Sequence, residues 1–247
     1  MRQFGLIGKT LKHSFSKKYF EEKFVKESIA DCAYDLYELE SISEFPNLIK
    51  SKSPELKGLS VTIPYKLDVI PYMTALDAAA KEINAVNAIK VMPDGTLKGY
   101  NTDYYGFKTS LVDGWRLAGK KALVLGTGGA SNAVSKALDD MGIAYTMVSR
   151  NAKGNQIDYQ AIHDNPEIIN SNELIINCTP LGTFPEIDQR PDLPYHLIGS
   201  NHLLFDLVYN PDITAFMAAG NINGAQVKNG YDMLVGQAEA AWKIWNE

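Results

Sequence analysis

Cysteine is scarce. The 247 residues hold two, Cys32 and Cys178, far apart and without the CxxC spacing of a metal clamp. Such usage reads as two free thiols in a reducing cytosol and supplies no metal site. Positive charge is also short: 24 Lys and Arg stand against 29 Asp and Glu, a net charge of −5 with no block of like sign. The basic footprint of a nucleic-acid or anionic-membrane partner is therefore missing. The densest basic patch, Lys50–Ser51–Lys52, reads as a solvated loop. Long apolar runs are absent, and the opening MRQFGLIG is too short in apolar residues for a secretory signal. There is no low-complexity segment and no internal repeat. The expectation is a cytoplasmic protein, 45% hydrophobic and 21% charged, with one large or two modest domains.

What is present is an alternation of strand-like and helix-like segments, which predicts an α/β layer structure. RQFGLIG reads as a strand, SKKYFEEKFVKESI as an amphipathic helix and AYDLYEL as a strand. ISEFPNLIK and ALDAAAKEI read as helices, and AVNAIKV and TLKGYNT as strands around the turn Pro93–Asp94–Gly95. GLSVTIPYK alternates Leu59, Val61 and Ile63 with Ser60 and Thr62, as a two-faced strand does. Pro64 then stops the ladder, and Lys66 follows. A second unit begins near residue 119. KKALVLG, ASNAVSKALDDMG and IAYTMVSR make a βαβ unit of about 30 residues, with Gly142 as the helix stop. ELIINC, HLLFDLVY and AQVK are further strands, and YDMLVGQAEAAWKIW is a final helix whose Trp242 and Trp245 read as packing.

The turn LVLGTGGASNAV places Gly126, Gly128 and Gly129 between a strand and a helix, the context of a dinucleotide-binding turn. Gly126 permits the tight turn, Gly128 lets a pyrophosphate approach the backbone, and the helix N-terminus offers free N–H groups. Ser131 stands where the fingerprint has a third glycine or alanine. At the end of the next strand an NAD site carries an acid. Here the run is VSRNAK: Ser149, Arg150 and Lys153 can meet an extra phosphate, so NADP is the better match.

Polar residues gather where the first unit's strands end: Ser14 and Ser16, Thr62 and Lys66, Asn87, and Asn101–Thr102–Asp103. Singly, each has a bland reading. A serine there caps a helix, a lysine is solvated, an asparagine serves a turn and Asp103 caps the helix that follows.

Taken together, KHSFS, GLSVTIPYK, NAVNAI, GYNTD..GF, LGTGGAS, INCTPLG, FDLVYNPDITAF and NGYDMLVGQAEAAWKIW come in order at compatible spacing. In these blocks the chain resembles the shikimate dehydrogenase family of NADP-dependent reductases. The resemblance implies two domains: an N-terminal α/β substrate domain with a mixed sheet, and a Rossmann-type dinucleotide-binding domain with a parallel sheet. The expected division is residues 1–103 plus 231–247 for substrate and catalysis, and 104–230 for NADP. By position, it implies Lys66 and Asp103 as catalytic residues that also touch substrate. Ser14, Ser16 and Tyr209 match groups at the substrate carboxylate, and Thr62, Asn87 and Gln237 match ligands of its hydroxyls. For NADP(H) it implies the turn Gly126, Thr127, Gly128, Gly129 and Ala130, with Ser149, Arg150 and Lys153 at the extra phosphate. Thr179 matches the loop under the cofactor, and Gly230 and Met233 match positions beside the nicotinamide.

The implied reaction is reversible NADPH-dependent reduction of 3-dehydroshikimate to shikimate, in a monomer or homodimer, without metal. The alternatives are a quinate/shikimate dehydrogenase using NAD as well as NADP, and a binding protein without turnover. The family usually has Asn where Ser60 stands and Thr where Ala88 stands.

Overall fold

A computed structural model describes every residue except His13, Asp113 and Gly114. The chain forms two units, Met1–Thr102 with Ala238–Glu247, and Asp103–Gln237. Asp103 and residues 231–237 therefore pack with the second unit, whereas the sequence reading groups them with the first.

In the first unit, β1 (Arg2–Gly8) buries Phe4, Leu6 and Ile7 on both of its faces, as a central strand must. It pairs in parallel with β2 (Cys32–Glu38) and β3 (Leu56–Val61). Helix α1 (Phe15–Lys26) connects β1 to β2, and α2 (Phe45–Lys52) connects β2 to β3. A 3-10 turn, Ile42–Glu44, precedes α2. There the Ser41 hydroxyl accepts from the Ser43 N–H and the Glu44 carboxylate from the Ser41 N–H, a capping box. ALDAAAKEI is not helical throughout. Ala75–Leu76 is a short strand, β4, and helix α3 (Ala78–Ile83) starts only where the Asp77 carboxylate accepts from the Ala80 N–H at 2.8 Å. β5 (Ala88–Val91) and β6 (Leu97–Tyr100) follow. The sheet runs β2-β1-β3-β5-β6-β4, with β5 antiparallel to both neighbours.

Both faces of this sheet are covered. On one lie Ile7, Phe45, Leu59, Val69, Val86 and Ile89. On the other, Phe4, Phe20 and Tyr34 meet Trp245 from the final helix. The indole N–H of Trp245 donates to the Ile89 carbonyl at 3.0 Å, and the ring stacks on Phe4 at 5.1 Å between centroids. A methyl group at Gly58 would fall 2.3 Å from that indole, so β3 keeps a flat spot for it. The buried Lys23 ammonium holds the same helix to α1, reaching both Glu239 oxygens at 2.9 Å.

The second unit opens with α4 (Thr102–Val112) and contains the strands β7 (Ala122–Leu125), β8 (Tyr145–Val148), β9 (Leu174–Asn177), β10 (Leu203–Asp206) and β11 (Gln226–Lys228). They are all parallel, in the order β11-β10-β9-β7-β8. Every residue of β7, β9 and β10 is buried, which explains their uninterrupted apolar runs. Helices α5 (Gly129–Asp140), α6 (Tyr159–Asp164), α7 (Glu167–Asn170), α8 (Ala215–Asn221) and α9 (Tyr231–Asn246) complete the chain. Helix α4 sets Phe107 edge-on against Phe205 of β10. It approaches α9 so closely that a methyl on Gly106 would lie 2.4 Å from the Met233 carbonyl.

Candidate active site

In the first unit the polar residues collect on one edge of the mixed sheet, for a topological reason. β1, β3 and β6 end there and the antiparallel β5 begins there, with the terminal pairs Ile7–Val61, Ser60–Ala88 and Ala88–Tyr100 in register. Thr62, Asn87 and Asn101 are the next residues along, outside the ladder. The backbone continues the stitching: Thr62 N–H donates to Ile7, Val61 N–H to Asn87 and Asn87 N–H to Tyr100, at 2.8 to 3.0 Å. Beyond Pro64, Tyr65 turns back and donates its hydroxyl to the Leu39 carbonyl at 2.5 Å. The Lys66 carbonyl then accepts from the Val86 N–H at 2.8 Å, fixing the lysine backbone beside Asn87.

Asn87 is buried, and its side-chain oxygen accepts from the Thr102 N–H at 2.5 Å and the Thr102 hydroxyl at 3.1 Å. Its carbonyl end is thus committed, and its NH2 is the end that donates. Asp103, also buried, is the next residue of the chain, in the first turn of α4.

Ser14 occupies the N-cap position of α1 but makes no capping bond. Its hydroxyl oxygen is buried and, among the described residues, without a hydrogen-bond partner, so the ordinary capping explanation fails for it. Ser16 bonds to the Tyr34 hydroxyl, which also donates to the Ser60 oxygen at 2.9 Å. Burial pushes the Tyr34 phenol up, against the two serines. Tyr34 escapes a sequence reading because it is one more aromatic in an alternating strand. Ser60, where the family usually has Asn, has a hydroxyl engaged by that tyrosine.

In the second unit all five strands are parallel, so their C-terminal ends share one edge. Leu125 pairs with Val148 and with Asn177, and Asn177 with Asp206. β7 and β9 are neighbours, and the connection leaving β7 runs to β8 on one side while that leaving β9 runs to β10 on the other. That is a topological switch point, the place where open α/β sheets bind ligands.

Gly126 stands there at φ +102°, and a Cβ on it would lie 3.1 Å from the Thr179 methyl after β9. Conformation and close approach both require glycine. Among the described residues, nothing lies within 4 Å of where a Cβ on Gly128 or Gly129 would be. With Thr127 exposed and Ala130 half-buried, the N-terminus of α5 is open to a ligand. Ser131 donates to the Gly128 carbonyl at 2.6 Å, so the serine in the third fingerprint position closes on the turn itself. After β8, the Ser149 hydroxyl accepts from the Asn151 N–H at 3.2 Å, and Arg150 and Lys153 are exposed cations. This donor set fits a dinucleotide with an extra phosphate.

Tyr209 follows β10, half-buried, with its phenol pushed up by burial. Gly230 follows β11 at a point where a Cβ would come within 2.2 Å of the Leu207 carbonyl, and Met233 is buried one turn later. Gln237 is the last residue of this unit, and Asp103 the first.

Beneath the edge is a polar core that the motifs do not single out. Asp206 is fully buried at the end of β10 and accepts from Asn177, the Val208 N–H and Thr214 at 2.9, 3.0 and 2.6 Å. Burial, the largest influence, pushes it up to about 6, and the three hydrogen bonds oppose. Its sequence signal is an acid ending the apolar run LLFD, in the same FDLVYNPDITAF block as Tyr209.

Among the described residues, no group of three or more His, Cys, Asp or Glu is placed to hold a metal ion, and no helix is long and apolar enough to cross a membrane.

Residues 6–89 match the family model of the shikimate dehydrogenase substrate binding domain. The chain is 41% identical, over all of its length and 93% of the relative's, to the shikimate dehydrogenase (NADP(+)) of Clostridium beijerinckii. The crystal structure of shikimate dehydrogenase 1 from Peptoclostridium difficile has a TM-score of 0.81 at 35% identity, covering 100% of this chain and 92% of that one. The Thermus thermophilus shikimate 5-dehydrogenase, in complex with NADP(H) and shikimate, also has a TM-score of 0.81, at 28% identity over 99% and 93% of the two chains. With identity sustained along its whole length, this chain belongs to the shikimate dehydrogenase family.

Proposed function

We propose that the protein is an NADP-dependent oxidoreductase that reversibly reduces 3-dehydroshikimate to shikimate, in the cytoplasm, as a monomer or homodimer. The observation that carries this is the edge of the mixed sheet, where Thr62, Lys66 and Asn87 are stitched together by backbone bonds in a chain with full-length shikimate dehydrogenase relatives.

On this reading the first unit, with Asp103 and Gln237 at the chain crossings, is the substrate half. Ser14 and Ser16, with Tyr209, take the substrate carboxylate, and the orphaned Ser14 hydroxyl is the strongest sign of a ligand there. Thr62, Asn87, Asp103 and Gln237 take its hydroxyls, Asn87 through its amide hydrogens. Gly126, Thr127, Gly128, Gly129 and Ala130 hold the pyrophosphate, and Ser149, Arg150 and Lys153 the extra phosphate. Thr179, Gly230 and Met233 flank the nicotinamide. NADPH, when bound, supplies the hydride. As the ketone becomes an alcohol, negative charge grows on its oxygen. Lys66 stabilises that charge and gives the oxygen its proton, and Asp103 orients the ammonium.

The test is loss of NADPH absorbance on mixing purified protein with 3-dehydroshikimate, compared with NADP reduction by shikimate and by quinate. Binding of shikimate with no absorbance change would leave a non-catalytic binding protein. Arg150→Ala is expected to raise KM for NADP by roughly tenfold, with NAD-dependent turnover unchanged. Equal loss with both cofactors would remove Arg150 from the phosphate site.

A further inference from the structure

Two loops of the parallel sheet bear on the nicotinamide side of the proposed site, and both rest on one buried carboxylate. The loop after β9 carries Thr179, whose N–H and hydroxyl both donate to the Asn177 side-chain oxygen, the N–H at 3.0 Å and the hydroxyl at 2.6 Å. The NH2 of Asn177 then donates to Asp206 Oδ1 at 2.9 Å. The loop after β10 carries Tyr209 and is tied to the same carboxylate at both ends. The Val208 N–H donates to Oδ1 at 3.0 Å, and the Thr214 hydroxyl to Oδ2 at 2.6 Å.

The direction of each bond is set. Amide nitrogens only donate and an ionised carboxylate only accepts, so the Thr214 hydroxyl, which accepts from the Met217 N–H at 3.2 Å, gives its own hydrogen to Asp206. Every partner of the carboxylate is a donor, and a neutral amide cannot satisfy them all. The loop residues themselves have little freedom to compensate. The Leu207 N–H is held by the Asn177 carbonyl, and the Val208 carbonyl accepts from Gly230. Asn177, Asp206 and Thr214 are each fully buried, so water cannot replace a missing partner.

We infer that Asp206 is a positioning residue for the proposed reaction, its carboxylate locking the Thr179 loop to the Tyr209 loop so that the nicotinamide-side edge is built before ligand arrives. This rests on the reading of Thr179 and Tyr209 given above. The adenosine side, formed after β7 and β8, shares none of these bonds.

The experiment compares Asp206→Asn and Thr214→Val with wild type, and with Thr214→Ser as the variant that keeps the hydroxyl. Dissociation constants are measured for NADPH and for 2′-phosphoadenosine 5′-diphosphoribose, which lacks nicotinamide. Turnover is expressed per folded molecule, with near-ultraviolet circular dichroism as the folding check. Asp206→Asn and Thr214→Val are expected to lower kcat about tenfold and to weaken NADPH, leaving the nicotinamide-free probe bound as before. Thr214→Ser stays near wild type.

A folded Asp206→Asn with wild-type kcat and NADPH affinity overturns the inference. So does a loss of both ligands in proportion to the unfolded fraction, since that is a purely structural role. If Asp206→Asn does not fold, the contrast between Thr214→Val and Thr214→Ser decides by the same readouts. If wild type binds NADPH but does not turn over shikimate, the functional reading falls. The difference between the two nucleotide probes still judges the lock.

Discussion

Tyr34 is a buried phenol whose hydroxyl has two serine partners, Ser16 and Ser60. Removing the hydroxyl strands Ser60 at a half-buried position and releases Ser16 from its restraint. Tyr34→Phe is expected to cost on the order of 1 kcal/mol of stability, read from urea unfolding. Under the proposed function it also raises KM for shikimate and leaves KM for NADP unchanged, because Ser16 belongs to the carboxylate site. An unchanged KM for shikimate would disconnect Tyr34 from that site. Asp206 makes a pH prediction. Its native value is raised to about 6 from an ordinary 3.8, so between those values the folded state holds more protons than the unfolded state. Its contribution to stability is therefore greatest at low pH and declines as pH rises through about 6. Asp206→Asn should flatten that part of a stability-versus-pH curve measured by denaturant titration. At this scale the sequence displays the residues proposed to face a ligand, because they lie in the motif blocks, and hides those beneath. Asp206 and Tyr34 act through partners distant in sequence, Asn177 and Ser60, and no local spacing reveals such a pair.

Elements were legible wherever one periodicity ran long enough. The apolar runs of β7, β9 and β10 and the amphipathic α1 are of this kind. Short pieces were not: α6, α7 and α8 span only 6, 4 and 7 residues, too few for a repeat to emerge. The strand hidden in ALDAAAKEI arises from tertiary pairing with β6, which overrides the helix propensity of its alanine and leucine. Glycines within elements carry information that periodicity misses. Gly106 lets α4 and α9 touch, and Gly106→Ala places a methyl 2.4 Å from the Met233 carbonyl. Backbone cannot yield as a side-chain tip does, so a loss of about 1–3 kcal/mol is expected, measured by thermal or urea unfolding. Trp245→Ala empties the seat over Gly58 and forfeits the bond to Ile89, with an expected loss of about 3–5 kcal/mol. A loss below about 1 kcal/mol would show that neighbouring rings collapse into the space.

For the whole molecule, the order of the chain matters as much as its contacts. The first unit is assembled from residues 1–102 and 238–247, with the second unit encoded between them. Trp245, the ring that stacks on Phe4 and lies against Gly58, belongs to the late piece. During synthesis the N-terminal sheet leaves the ribosome first and waits, one face covered by α1 but lacking Trp245, while everything up to Gln237 is made. The second unit has all of its strands before its partner has its last aromatic ring. Nascent chains ending at Gln237, followed by a spacer that carries them clear of the ribosome, should therefore show residues 1–102 cut readily by protease while the parallel sheet resists. Only the final turns of α9, once released, bring the first half to native resistance. The protein's own order of translation thus delays completion of the proposed substrate half until the proposed cofactor half is already made.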